Sequence, residues 1–167
     1  MLQKKFIAVS ACLLGHKVRY DGEHQANKIV MDTLAKQFQL IPVCPEVEIG
    51  LGVPREKIAL HRQEGKVCLL TTTEPVLDLT EKMFSYTQSF LNHHALAGAI
   101  LKDKSPSCGV ENCKQWDDGG AMQRKGTGIF AATLMRLEPD LPMLQSNDVS
   151  NQDKLLYFIN KVNAYKC

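Results

Sequence analysis

Cysteine is the residue type in this sequence best suited to hold a metal or attack a substrate, and the chain has six: Cys12, Cys44, Cys68, Cys108, Cys113 and Cys167. They form no CxxC pair, which argues against a zinc ribbon and against a thioredoxin-type dithiol. Three of them share a setting. Cys12 follows the apolar run Lys5-Phe6-Ile7-Ala8-Val9-Ser10, Cys44 follows Leu40-Ile41-Pro42-Val43, and Cys108 lies in the loop after Gly98-Ala99-Ile100-Leu101. Each run reads as a short buried strand. In an open α/β sheet the carboxyl ends of parallel strands gather at one edge, where ligands bind. Cysteines nearly a hundred positions apart then converge without any local motif. Three thiolates hold either zinc with an open fourth position or a [4Fe–4S] cluster with one iron free of protein. None of His16, His24, His61, His93 and His94 adjoins a strand-end cysteine closely enough to favour zinc, although His16 is near Cys12. Spacing alone leaves both metals open, with iron–sulfur modestly ahead. The other reading of the three thiols is plain burial, common for free cysteine.

The remaining cysteines differ. Cys68 lies inside the apolar run Val67-Cys68-Leu69-Leu70 and is expected to pack. Cys113 is expected in a surface loop, with a spare ligand or sulfur acceptor as the alternative, and Cys167 at a frayed terminus.

The elements that must position these residues follow from the periodicity. Val30, Leu34 and Phe38 at helical spacing predict a helix over residues 26–37. A hairpin around Glu64-Gly65 joins Ile58-Ala59-Leu60 to Val67-Cys68-Leu69-Leu70, within an otherwise irregular stretch from Gly50 to Thr73. Further helices are predicted over 77–94, 129–137 and 155–165, with a last short strand over 141–144. A glycine-rich loop (Gly119, Gly120, Gly126, Gly128) precedes the second of these helices. Strands alternating with helices predict an α/β, Rossmann-like open sheet, mostly parallel, with helices on both faces and a small hairpin insertion. The length, 167 residues, predicts a single domain spanning 1–167.

Composition sets the context. The chain is 44% hydrophobic and 23% charged, and its formal net charge of +2 is too small to imply nucleic-acid or membrane binding. No stretch reaches transmembrane length, and Met1-Leu2-Gln3-Lys4-Lys5 before a short β-like run is not a signal peptide. A cytoplasmic location is therefore expected, where thiols stay reduced and disulfides are not anticipated.

Several separate segments in order carry a resemblance. Val9-Ser10-Ala11-Cys12-Leu13-Leu14-Gly15, Val18-Arg19-Tyr20-Asp21-Gly22, Val43-Cys44-Pro45-Glu46-Val47, Gly50-Leu51-Gly52-Val53-Pro54-Arg55, Leu101-Lys102 and Ser105-Pro106-Ser107-Cys108-Gly109 resemble the thiouracil desulfidase family over nearly the whole chain. The segments 47–55 and 124–131 look closer to one branch, in which this domain is the amino-terminal half of a longer protein acting on thiolated uridine in transfer RNA. The resemblance implies a Rossmann-like fold and a [4Fe–4S] cluster on Cys12, Cys44 and Cys108. It implies a catalytic glutamate at Glu46 and a catalytic serine at Ser105, with Ser107 the other possibility. The chain stops near Cys167 without the second domain of that branch. The expected substrate is therefore a free thiolated base or nucleoside, and a grip on transfer RNA would come from a separate partner.

The implied activity is desulfuration without redox change: water replaces the thiocarbonyl sulfur and hydrosulfide leaves. One iron of a four-iron cluster on three cysteines has no protein ligand and is open to the substrate sulfur. Glu46, two residues after a ligand, is the expected base that activates water. Ser105 would orient that water or pass a proton to the ring; its plainer reading is a turn serine before Pro106. Among Arg19, Arg55, Lys102, Lys104, Arg124 and Lys125, the expected substrate contacts are Arg19 and Lys104, whose segments carry cluster ligands. Gly126 and Gly128 would offer backbone N–H groups to an anion or to uracil oxygens. Tyr20 and Trp116 are possible stacking surfaces, Trp116 being better explained by packing. The expected partners beyond the substrate are transfer RNA and the iron–sulfur assembly machinery. Two other classes remain at this stage: a non-catalytic iron–sulfur or nucleic-acid-binding module that works with a partner chain, and a zinc hydrolase on the same cysteines.

Overall fold

The structure, a computed structural model, describes residues 4–166. The expectations for Met1-Leu2-Gln3 and Cys167 lie outside these residues. Strand β1 (Phe6–Ser10) runs into a 3₁₀ turn, Ala11–Leu14, closed by Gly15 in the left-handed conformation at φ 87°. The first helix opens as a π-helical turn, Ile29–Leu34, and continues as α1 (Ala35–Gln37). It starts three residues later than the periodicity predicts, and Asn27 Oδ1 accepts the N–H of Val30 at its entry. Strand β2 (Gln39–Val43) ends at Pro45, the first residue of the short α2 (Pro45–Glu48). There follow β3 (Ile58–Gln63), β4 (Lys66–Thr71), α3 (Thr80–His93), β5 (Leu96–Leu101), β6 (Cys113–Trp116), β7 (Met122–Gly126), α4 (Ile129–Leu137), β8 (Met143–Gln145) and α5 (Gln152–Ala164).

One sheet has the order β2-β1-β5-β8, and every pair in it is parallel. Both of its faces are covered, which is why β1 reads as a continuous apolar run rather than an alternation. Ile7 and Val9 point to one side, with Val30, Leu34, Phe38, Phe158 and Val162 from the first helix and α5. Ala8, Ala99 and Leu101 point to the other, with Met83 and Phe90 of α3 and Phe130 and Leu134 of α4. This is the expected Rossmann-like arrangement. Strand β1 sits between β2 and β5, so the chain changes direction of travel across the sheet at β1. Such a switch point leaves a crevice at the strands' carboxyl ends.

The hairpin at Glu64-Gly65 is present but is not a small insertion. Strand β3 also pairs in parallel with β6, and β6 pairs with β7, giving a second four-stranded sheet of order β4-β3-β6-β7. Periodicity predicts no strand over 113–126 because the strands there carry little apolar pattern: Lys114, Arg124 and Lys125 are exposed. Their pairing is set by the neighbouring strand rather than by their own propensity. This second sheet corrects the expected location of Cys113, which is 1% exposed and starts β6. Trp116 stacks on His61 across the β3–β6 pair, with ring centroids 5.5 Å apart. Among the described residues no helix is long and apolar enough to cross a membrane.

Candidate active site

Cys12, Cys44 and Cys108 line one cavity of about 310 Å³, together with Arg19, Tyr20, Glu46, Arg55, Lys102, Lys104 and Ser105. The cavity lies at the carboxyl ends of β1, β2 and β5. Each thiol is delivered by a tight turn immediately after its strand or in the loop beyond it. Cys12 rides the 3₁₀ turn after β1. Cys44 is the residue before Pro45, held extended at φ −127° and ψ 91°, as a residue preceding proline must be. Cys108 depends on a turn built by Ser105, whose Oγ accepts the N–H of Ser107 (3.2 Å) and of Cys108 (3.0 Å).

The Cys108 loop is in turn seated on the start of α4. The first amides of that helix donate to carbonyls of the loop: Gly128 N–H to Gly109 O (2.8 Å), Ile129 N–H to Pro106 O (3.1 Å) and Ala131 N–H to Ser107 O (3.2 Å). A side chain at 128 cannot fit, because a Cβ there would lie 2.4 Å from the Ser107 carbonyl. From the opposite side, Cys113 Sγ donates to Ser105 O (3.3 Å), and a Cβ on Gly109 would stand 2.1 Å from that sulfur. Buried Gln145 of β8 accepts the N–H groups of Val110 (3.1 Å) and Glu111 (3.2 Å) with its Oε1.

These contacts correct the expectation for Gly126 and Gly128. Neither lines the cavity. Gly128 gives its N–H to Gly109, and Gly126 is buried in β7, where a Cβ would meet Leu60 at 3.0 Å. Both glycines serve close packing. Cys113 also lies outside the cavity lining, behind the loop.

Burial sets the electrostatics of the three thiols. It pushes Cys12 up to about 11, against the opposing charges of Lys102 and Arg19. Burial also raises Cys44, and raises Cys108 furthest, although the Ser10 hydroxyl donates to the Cys108 sulfur and opposes the shift. Ser10 Oγ accepts the N–H of Lys102 (2.9 Å), tying the ends of β1 and β5 together beside the sulfur. Such thiols are neutral by themselves and become thiolates only around a strong cationic centre.

The donor set, three thiols lining one cavity of about 310 Å³, therefore fits a metal group held by thiolates.

Glu46 falls in the first turn of α2 and faces the same cavity. Both of its oxygens are engaged: Oε2 by Arg55 Nε (2.8 Å) and Oε1 by Ser107 Oγ (2.9 Å). Ser107 is fully buried and outside the cavity lining, whereas Ser105 lines the cavity. The two serines thus have different geometries: Ser107 holds the carboxylate, and Ser105 lines the cavity while its Oγ braces the Cys108 turn. Arg19 lines the cavity with its guanidinium bound to Asp21 (3.1 and 3.3 Å). Lys104 is exposed at the rim with φ at +60°, a conformation that lysine adopts only where the surrounding loop imposes it. The residues that sequence reasoning passed over are Ser10, Ser107 as a partner of Glu46, and Arg55 as its ion pair. Arg55 stands in the sequence as one of six basic residues able to hold a ring or a phosphate, and nothing in its spacing points to Glu46.

A parallel sheet with three strand-end thiols around a pocket, and a clamped carboxylate beside them, defines a Rossmann-like protein with a thiol-lined site. The chain belongs to the 2-thiouracil desulfurase family, whose profile matches residues 7–146. It is 31% identical over 135 residues to the uncharacterized protein YbbK of Bacillus subtilis (strain 168), covering 77% of this chain and 88% of that protein. It also resembles the solved structure of a [4Fe–4S]-dependent thiouracil desulfidase, TudS, with a TM-score of 0.67 and 29% identity, over 92% of this chain and 99% of that one.

Proposed function

We propose that this chain is a [4Fe–4S]-dependent desulfidase of thiolated uracil, with Cys12, Cys44 and Cys108 as the protein ligands of the cluster. The observation that carries this reading is the meeting of three strand-end thiols and Glu46 in one cavity. When bound, the cluster supplies a Lewis-acidic iron, without a protein ligand of its own, to polarise the thiocarbonyl bond through its sulfur. The chain's own residues do the rest. Glu46 accepts a proton from water as the water oxygen bonds to the ring carbon. The carbon–sulfur bond then breaks, and sulfur leaves as hydrosulfide, so C=S and H₂O become C=O and H₂S with no net electron transfer. Ser105, whose Oγ already accepts two N–H groups, has its O–H left to donate toward the water or the ring. Arg19 and Lys104 hold the ring from the rim, and Tyr20, which lines the same wall, offers a stacking face. Free thiols and such a cluster suit a reducing compartment, the cytoplasm, and loading by the iron–sulfur assembly machinery.

A second substrate reading has support from one feature. A neighbouring cavity of about 420 Å³ shares Tyr20, Glu46, Lys104 and Pro106 with the first and adds Lys57, Lys114 and Arg124. Among the described residues none of Lys57, Lys104, Lys114 and Arg124 is ion-paired with a carboxylate. Lys114 and Arg124 also stand directly opposite each other across β6 and β7, a like-charge pair that costs stability unless an anion lies nearby. This basic extension favours a thiolated uridine that carries phosphate, including 4-thiouridine in transfer RNA.

The test is anaerobic. Protein purified without oxygen should contain iron and acid-labile sulfide, absorb in the blue, and release sulfide from 4-thiouracil, 4-thiouridine or thiolated transfer RNA. Cluster-replete protein that releases no sulfide from any of the three would overturn the enzymatic reading and leave a module that needs a partner chain. Stoichiometric zinc in place of iron would overturn the cluster.

A further inference from the structure

Arg55 sits where the carboxylate and one of the sulfurs meet. Its side chain is only 5% exposed, and its planar fork reaches three groups at once. Nε donates to Glu46 Oε2 (2.8 Å), Nη1 donates to Gly52 O (2.8 Å), and Nη2 lies 4.0 Å from Cys44 Sγ. Its backbone N–H donates to Tyr20 O (3.0 Å), which ties it to the wall that carries Arg19 and Tyr20.

We infer that Arg55 is a positioning residue that locks the Glu46 carboxylate toward the cavity and places its positive charge against the Cys44 sulfur. The inference rests on the reading of Cys44 as a cluster ligand and Glu46 as the base. With Ser107 on Oε1 and Arg55 on Oε2, the carboxylate plane is held at both ends, and each oxygen retains a lone pair for water. A carboxylate fixed this way stays in reach of the reacting carbon without reorganising. The same guanidinium near Cys44 acts on the cluster, because donors and positive charge beside a ligand sulfur raise the reduction potential. Lysine cannot substitute: a compact ammonium on a flexible stem reaches one of the three partners, not all of them. An ordinary buried ion pair would stand in the packed core, whereas Arg55 and Glu46 both line the cavity.

The experiment uses the full chain, reconstituted anaerobically, as wild type, Arg55→Lys and Arg55→Gln. Iron content, thermal melt, the cluster's reduction potential, and kcat and KM for 4-thiouracil are measured on each. Both variants are expected to load iron fully and to lose at least tenfold in kcat with KM within about twofold, a split expected when a transition-state interaction alone is lost. The potential of Arg55→Gln is expected below that of the wild type. Retention of kcat within twofold, or a loss of kcat only in proportion to lost iron, would overturn the role at Glu46. An unmoved potential would overturn the link to Cys44. Should Arg55→Gln fail to load, Arg55→Lys carries the kcat comparison and Arg55→Met, which also removes the charge, carries the potential. If the loaded wild type itself releases no sulfide, the desulfidase reading has failed, and the potential series alone decides the contact with Cys44.

Discussion

Glu46 and Ser107, the neighbour of Cys108, are 61 positions apart in the chain, yet Ser107 Oγ donates to Glu46 Oε1 at 2.9 Å. The proposed roles of Glu46 and Cys108 divide cleanly under mutation. Glu46→Gln keeps the shape and can still accept from Arg55, but it cannot take a proton from water. Turnover should fall by roughly 10²-fold or more, the scale of a lost general base, while the cluster absorbance stays. Cys108→Ser should lose the cluster itself, read as iron per chain. Cys113 gives the contrasting case. Its sulfur is buried behind Gly109 and bonds Ser105 O rather than facing the cavity. Cys113→Ala should therefore keep full iron content and cost about 1–2 kcal/mol of stability from the lost packing, measured by thermal melting. Loss of the cluster in that variant would make Cys113 a ligand.

At the scale of elements, the decisive joint is between the Cys108 loop and α4. The helix leaves its first N–H groups without partners inside the helix, as every helix does. Here the loop carbonyls of Pro106, Ser107 and Gly109 accept them, so helix and loop order one another. Gly128 is the hinge of that arrangement because a Cβ would enter the Ser107 carbonyl. Gly128→Val should destabilise the protein by about 2–3 kcal/mol through overpacking. For a chain of this size that lowers Tm by about 5–10 °C. Because the clash displaces the loop that carries Cys108, iron uptake should fall as well. Normal loading in a destabilised Gly128→Val protein would separate the helix joint from the site.

Across the whole molecule, the net charge of +2 hides an uneven distribution. Four cations that form no ion pair among the described residues, Lys57, Lys104, Lys114 and Arg124, meet around the second cavity beside the first. If phosphate binds there, Lys114→Glu should raise KM for a phosphorylated or RNA-borne thiouridine several-fold at low salt and leave KM for free thiouracil unchanged. Added salt should erase the difference, since the interaction is between exposed charges. Equal effects on both substrates, or none on either, would assign the groove to simple solvation. Lys114 comes from β6 and Arg124 from β7, so this surface exists only because the second sheet brings the two strands against β3 and the rim of the parallel sheet.

How much of this was legible in the chain differs by kind of residue. The strand-end cysteines were legible because β1, β2 and β5 are apolar runs, and parallel strands expose their carboxyl ends at one edge whatever the loop details. Helix α4 was legible to the residue, Ile129–Leu137, because its apolar positions recur at helical spacing after a glycine. The sequence by itself therefore determined the fold class, the candidate ligands and the neighbourhood of Glu46. Tertiary structure alone decided what Glu46 touches, which serine holds it, and that Gly126, Gly128 and Cys113 serve packing. It also turned the stretch from 113 to 126 into strands. Those outcomes depend on contacts between residues far apart in the chain, set by strand register and by how closely a loop can seat on a helix. Local periodicity reports which face of an element is apolar, but it carries no record of the partner that face will meet.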